Sequence, residues 1–188
     1  MRAPNRWSPR STAQSYIYDA GDQKVVVIDR GKLTVIAQWP IQEYIGLAPL
    51  PDAEHHPYVR KNVPIALDET HQRLFVGARF DEESSMLVVF DTQTGKQATK
   101  LPMGGWVDEM AIDPASGRIY ASCGKESGGV GAAYMFKDLD TDHYQLLGKV
   151  ATAFIGKTAT LVPSLKRYYV SVPNFQNGGA RILVYRVQ

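Results

Sequence analysis

The segment Pro64 to Asp91, PIALDETHQRLFVGARFDEESSMLVVFD, is echoed about 45 residues later by Met110 to Lys137, MAIDPASGRIYASCGKESGGVGAAYMFK. A fixed internal period of this length means that the chain stacks copies of one small unit, each burying its apolar face on the next. Ala66-Leu67-Asp68 matches Ala111-Ile112-Asp113, Arg73-Leu74-Phe75 matches Arg118-Ile119-Tyr120, and Val89-Phe90-Asp91 matches Met135-Phe136-Lys137. A third copy runs through Leu161-Val162-Pro163, Lys166 to Val170 and Arg181 to Tyr185. A partial copy comes first, with Tyr16-Ile17-Tyr18 set against Leu74-Phe75-Val76, and Ala37-Gln38-Trp39-Pro40 against Thr99-Lys100-Leu101-Pro102.

Within each copy the apolar runs are four to six residues long, β-branched or alternating, and separated by Gly, Asp, Asn and Pro. Such runs are strands joined by tight turns, and no segment keeps helical spacing for the length a helix needs. Asp91-Thr-Gln-Thr-Gly95 and Asp113-Pro-Ala-Ser-Gly117 open on Asp and close on Gly, as hairpin connections favour. Four-stranded antiparallel units at a period of about 40 to 50 residues predict an all-β fold, a β-propeller of roughly four blades. The expected blades are 15–41, 63–103, 107–153 and 158–188 of one domain spanning 15–188, after an irregular segment 1–14 rich in Pro and Arg. The first blade lacks an innermost strand and the last an outermost one, which predicts an open arc of a larger propeller.

The cadence A-x-D-x-x-x-x-R-[LI]-[FY]-V followed by V-V-F-D-x-x-T-G-K resembles the YVTN-repeat, YncE-like β-propellers. Ala66, Asp68, Arg73, Leu74, Phe75, Val76, Val89, Phe90, Asp91, Thr94, Gly95 and Lys96 carry it, and the similarity runs from Tyr16 to Val187. That resemblance implies a chain of about seven blades, usually with an export signal, of which this sequence matches the C-terminal part. It implies a scaffold rather than a chemistry, and no cofactor.

The formal charge of +2 is spread without blocks of like charge, so there is no footprint for nucleic acid or an anionic membrane. No run approaches the roughly 18 apolar residues that span a bilayer. The basic start is followed by no apolar signal core, which places the chain as written in the cytoplasm, or in the periplasm or outside the cell if its true start lies upstream. Cys123, the single cysteine, reads as a small buried residue rather than a nucleophile.

In propellers the loops entering the innermost strands meet at one mouth of the central channel, where rigid scaffolds present polar groups. Here those loops are Asp52 to Pro64, Gly104 to Glu109 and Phe154 to Thr160, and the candidate ligand-binding residues are His56, Asn62, Trp106, Asp108, Glu109, Lys157 and Thr158. Asp52-Ala-Glu-His-His56 has metal-ligand chemistry, but neighbouring histidines on an extended segment point apart, so no metal site is assigned. Ala151 stands where a phosphate-binding loop ending in Gly156-Lys157-Thr158 needs Gly, and the chain has no nucleophile elbow. The expectation is a non-enzymatic module that binds a small polar ligand or a protein partner at the channel mouth and self-associates through its open blade edges. The alternatives are an enzyme resembling propeller lactonases or quinoprotein amine dehydrogenases, with Asp108, Glu109 and His56 at its centre, or a non-functional fragment of a longer propeller.

Overall fold

The computed structural model describes residues 14–19, 22–44, 63–80, 83–174 and 178–187. Among them lie thirteen strands, two short 3-10 turns and no α-helix. None of the described helical turns is long and apolar enough to cross a membrane.

Strands β1 (Gln14–Asp19), β2 (Lys24–Asp29) and β3 (Thr34–Pro40) form an antiparallel sheet. A continuous ladder follows from β4 (Ile65–Asp68), β5 (Arg73–Arg79) and β6 (Ser84–Asp91) through β7 (Gln97–Asp113) to β8 (Arg118–Lys125), β9 (Ala132–Asp138) and β10 (Tyr144–Ala151). The third sheet holds β11 (Thr158–Val162), β12 (Arg167–Val172) and β13 (Arg181–Arg186). The strand β7 serves two blades: up to Gly104 it pairs with β6 as the outer strand of blade 2, and from Gly105 it pairs with β8 as the inner strand of blade 3. Gly104 to Glu109, expected as a loop, therefore lies inside this strand.

Three apolar cores lie between successive blades. Val25 and Val27 of blade 1 meet Leu74, Val76 and Phe90 of blade 2; Phe75, Leu87 and Val89 meet Ile119, Ala121 and Phe136 of blade 3; Tyr120 meets Tyr168 and Val170 of blade 4. Period-2 alternation produces this: along β5, Leu74 and Val76 turn to the preceding blade and Phe75 to the following one, and all seven residues are buried. Cys123 is fully buried in the second core, and burial pushes its thiol well above the ordinary range, as a packing residue requires.

The pairings fix the equivalences. Phe75 faces Val89, Tyr120 faces Met135 and Tyr169 faces Val184, so the three aromatics occupy one register position. Phe75 and Tyr120 are buried, whereas Tyr169 is half-buried because no described blade covers it. In blade 1 Tyr16 faces Val27, which makes it the counterpart of Phe75 rather than of Leu74. The sequence alignment there slips by one residue, and a one-residue slip exchanges faces. Tyr16 packs with Trp39 toward blade 2, leaving Ile17 outward and 51% exposed.

The Asp-led turns close as their composition requires. Asp91 Oδ1 accepts the backbone N–H groups of Gln93 and Thr94, and Gly95 then takes φ of 70°. Asp68 does the same for Thr70 and His71, and Asp140 for Asp142 and His143.

Candidate functional site at the channel mouth

Two arginines bracket β5, and both cross from blade 2 to blade 3. At the hairpin end, Arg73 Nε donates to Thr141 O at 2.8 Å, while its other nitrogens pair with Asp91 and Asp142 at 2.8 Å each. At the mouth end, Arg79 Nε and Nη2 donate to Val107 O at 2.9 and 2.6 Å, and Nη2 lies 3.2 Å from Asp108 Oδ1. Arg79 is only 3% exposed, and that burial lowers its affinity for the proton while Asp108 counteracts it.

Asp108 sits in a bulge. The β7 to β8 ladder passes from Val107 opposite Cys123 to Glu109 opposite Ser122, so Asp108 is the unpaired extra residue. The described inner pairs of blades 2 and 4 begin at Ile65 and Thr158, past the position that Asp108 holds in blade 3. A bulge re-aims a side chain, and this one turns the Asp108 carboxylate between Arg79 and Lys157, whose Nζ is 3.4 Å away. Two residues earlier Trp106 holds φ of 55°, a conformation uncommon for a bulky side chain that clusters at sites of function.

The loop before β11 is fastened to blade 3. Ile155 N–H donates to Gly124 O at 2.9 Å, Ser122 Oγ to Gly156 O at 3.0 Å, and Thr152 N–H to Gly131 O at 2.8 Å. This brings Phe154 to 5.6 Å from the Trp106 ring, and the stem of Lys157 packs over Gly124. Lys125 Nζ stands 5.8 Å from the Trp106 centroid, within cation–π range.

The structure thus joins Trp106, Asp108 and Lys157 in one place, with Thr158 exposed at the head of β11 directly after Lys157. Glu109 faces Ser122 one step further along β7, and burial, reinforced by Asp108, raises its carboxyl above the ordinary range. His56 and Asn62 lie outside the described residues. So does the segment from Asp52 to His56; among the described residues no group of three or more His, Cys, Asp or Glu is placed to hold a metal. Chemically the cluster is one carboxylate bracketed by two cations beside an aromatic wall.

Arg79 was not among the sequence candidates. Its signal was present: Arg-Leu-Phe-Val-Gly-Ala-Arg ends a run buried on both faces with a cation, and a buried cation needs a partner. A second concavity, of about 510 Å³, lies between blades 2 and 3 at the hairpin end, with Phe75, Ile112 and Tyr144 among its apolar lining and Asp68, His71 and Asp138 among the polar. His71 and His143 are both exposed turn residues, each with Nδ1 against the aspartate three residues before it. The same turn is built with Ser116 on Asp113 and Thr94 on Asp91, so these histidines serve the turn first.

No family model matches the chain, and no curated protein matches it in sequence. Solved structures do. The chain is similar to hydrazine synthase of Kuenenia stuttgartiensis (TM-score 0.67, 12% identity, covering 93% of this chain and 43% of that one). It is also similar to a chain of the mitotic checkpoint complex (0.62, 12%, 93% and 46%) and to Sqt1 of Saccharomyces cerevisiae (0.56, 11%, 88% and 39%). At such identities the likeness is one of fold, and with the stacked sheets it makes this chain an open β-propeller arc. The chain spans less than half of each of these three.

Proposed function

We propose that the chain is a non-enzymatic β-propeller module that binds a small polar ligand, or the polar side chain of a protein partner, at the mouth formed by Trp106, Asp108, Glu109, Lys157 and Thr158. The observation that carries this reading is the Asp108 bulge: the inner strand of blade 3 interrupts its ladder at the residue set between Arg79 and Lys157. A bulge inside a paired strand re-aims one side chain, and here it aims a carboxylate at two cations. We place the module with the YVTN-repeat propellers, because the residues of the cadence do matching work in successive copies. Asp68 and Asp113 close their turns, and Asp91, Thr94 and Gly95 form the next. Self-association through an open blade edge belongs to the same proposal, supported by the exposure of Ile17 and Val35 on blade 1.

The test is a thermal-shift screen of small acids, sugars and amines against the chain and its Asp108→Ala and Lys157→Ala variants. A compound that stabilises the parent and neither variant supports the site. Compounds that stabilise all three proteins equally locate binding elsewhere and refute it.

A further inference from the structure

Blades 2 and 3 are the two with four described strands, and the concavity of about 510 Å³ at their hairpin end is walled by both. Where description breaks off in blade 2, before Val63 and between Phe80 and Glu83, the strands are at their mouth ends, away from it. Its floor is Phe75 of β5 and Ile119 of β8, with Ile112 beside them and the Tyr144 ring edge-on to Phe75, centroids 5.6 Å apart at 83°. Phe75 and Ile119 stand on middle strands, each with a paired strand on both sides. The floor therefore presents no open strand edge, and an occupant is held by side chains rather than by backbone pairing. A concavity of this size, apolar below and polar at the rim, suits a small molecule.

The rim determines the chemistry of that molecule. With His71 neutral, the carboxylates of Asp68, Asp138 and Asp140 face a single ammonium, that of Lys137. Asp68 and Asp140 are committed to their own turns, each accepting two backbone N–H groups and lying against a histidine Nδ1. Lys137 Nζ donates to Ser116 O at 3.0 Å. Asp138 is different. Its carboxylate lies over Gly117, whose φ of 63° and missing Cβ leave it room, and among the described residues it meets Lys137 Nζ only at 3.8 Å, beyond hydrogen-bond reach. The Asp138 side chain is 29% exposed, open to a donor that arrives through the cavity. Among the described residues no three His, Cys, Asp or Glu are placed to hold a metal, so the cation that fits is an organic one with an apolar body.

We propose that this concavity binds a small organic amine, its protonated nitrogen on the Asp138 carboxylate and its apolar body against Phe75, Ile112, Ile119 and Tyr144. An amine gains both a charge-assisted hydrogen bond and apolar burial, whereas a neutral alcohol of the same shape keeps the burial and only a weaker bond. The site lies at the opposite end of the same two blades from the channel mouth and is independent of what binds there.

The probe is phenethylamine, titrated into the full chain by isothermal titration calorimetry at about pH 8.5, above the ordinary histidine range and below that of an alkylamine. Phenethyl alcohol, the same body without the charge, is the reference. Saturable binding of the amine is expected, at least about fivefold tighter than that of the alcohol. Asp138→Asn should remove this preference by weakening the amine alone, with an unchanged melting curve to check that the variant is folded. Asp138→Lys should reverse it, taking hydrocinnamate, a carboxylate of similar shape, over the amine. Lack of saturable amine binding to the parent overturns the proposal, as does equal affinity for amine and alcohol. So does an amine preference that survives Asp138→Asn, which would place the recognition of charge elsewhere.

Discussion

Phe75 and Tyr169 hold the same place in their blades and live in different surroundings. Phe75 is 1% exposed between blades 2 and 3, where an apolar core is fastened at its ends by Arg73 and Arg79. Tyr169 stands on the outer face of blade 4 beside Ile182 and Val184, which are 64% and 55% exposed. Even the arginines correspond: Arg73 Nη1 donates to His71 O and Gln72 O, and Arg167 Nη1 to Leu165 O and Lys166 O. Arg73 then continues to Thr141 and Asp142 of the next blade, where Arg167 meets no described neighbour of that kind. In a repeat protein the register dictates what a residue is for, and the neighbouring copy determines whether it does it.

The largest effect that could break this contrast comes from the aromatic pair. Phe75→Ala should cost about 3 to 5 kcal/mol by denaturant unfolding, and Tyr169→Ala under about 1 kcal/mol. Equal losses would mean that the outer face of blade 4 is covered in solution, and size-exclusion chromatography with light scattering would then show an oligomer that Ile182→Lys dissolves.

Arg79→Ala comes next, with an expected loss of about 3 kcal/mol or more, because Val107 O and the Asp108 carboxylate would lose a buried cation. Arg167→Ala, its contacts limited to its own backbone turn, should cost under about 1 kcal/mol in the same assay. A loss at Arg167 comparable to that at Arg79 would show that blade 4 is stapled as well.

Gly95→Ala should cost at least about 1 to 2 kcal/mol, the strain of a left-handed residue with a side chain. An added methyl group would also strike the indole of Trp39, which blade 1 lays against this turn. Wild-type stability in that variant would show that the first interface yields where the second does not.

The smallest effect is a pH dependence. Hydrogen bonding to Asp68 raises the His71 pKa above its unfolded value, and the Asp68 charge adds to this. Its stabilisation is therefore fully present below about pH 6.5 and lost as pH rises through the higher folded value. With a His71 side chain 42% exposed, the loss should be under about 1 kcal/mol between pH 5.5 and 8.5, and His71→Gln should abolish it. A dependence of opposite sign would remove the His71 to Asp68 pair from the account.

Much of this architecture was legible because repetition multiplies weak signals. The Asp-led turns, the outer strand of blade 1 ending in Pro40 and the counterparts Phe75, Tyr120 and Tyr169 stand in the register read from the sequence. The slip at Tyr16 arose where the copy is weakest: Tyr-Ile-Tyr carries a bulky residue on either face, so composition alone cannot tell which face is inside. Within the candidate site, Trp106, Asp108 and Lys157 were identified by their place before inner strands, while Arg79 was hidden in a strand read as packing.

The amino-acid sequence by itself determined the class of fold, the period and the side-chain alternation, because strand propensity, turn chemistry and apolar patterning are local and recur in each copy. Tertiary structure alone decided that β7 runs unbroken through two blades, that a single bulge turns Asp108 between two cations, and which of three equivalent aromatics remains partly exposed. Those outcomes rest on what the adjacent blade places opposite each residue. A contact across a blade interface is a property of two copies together, and neither copy's sequence contains it.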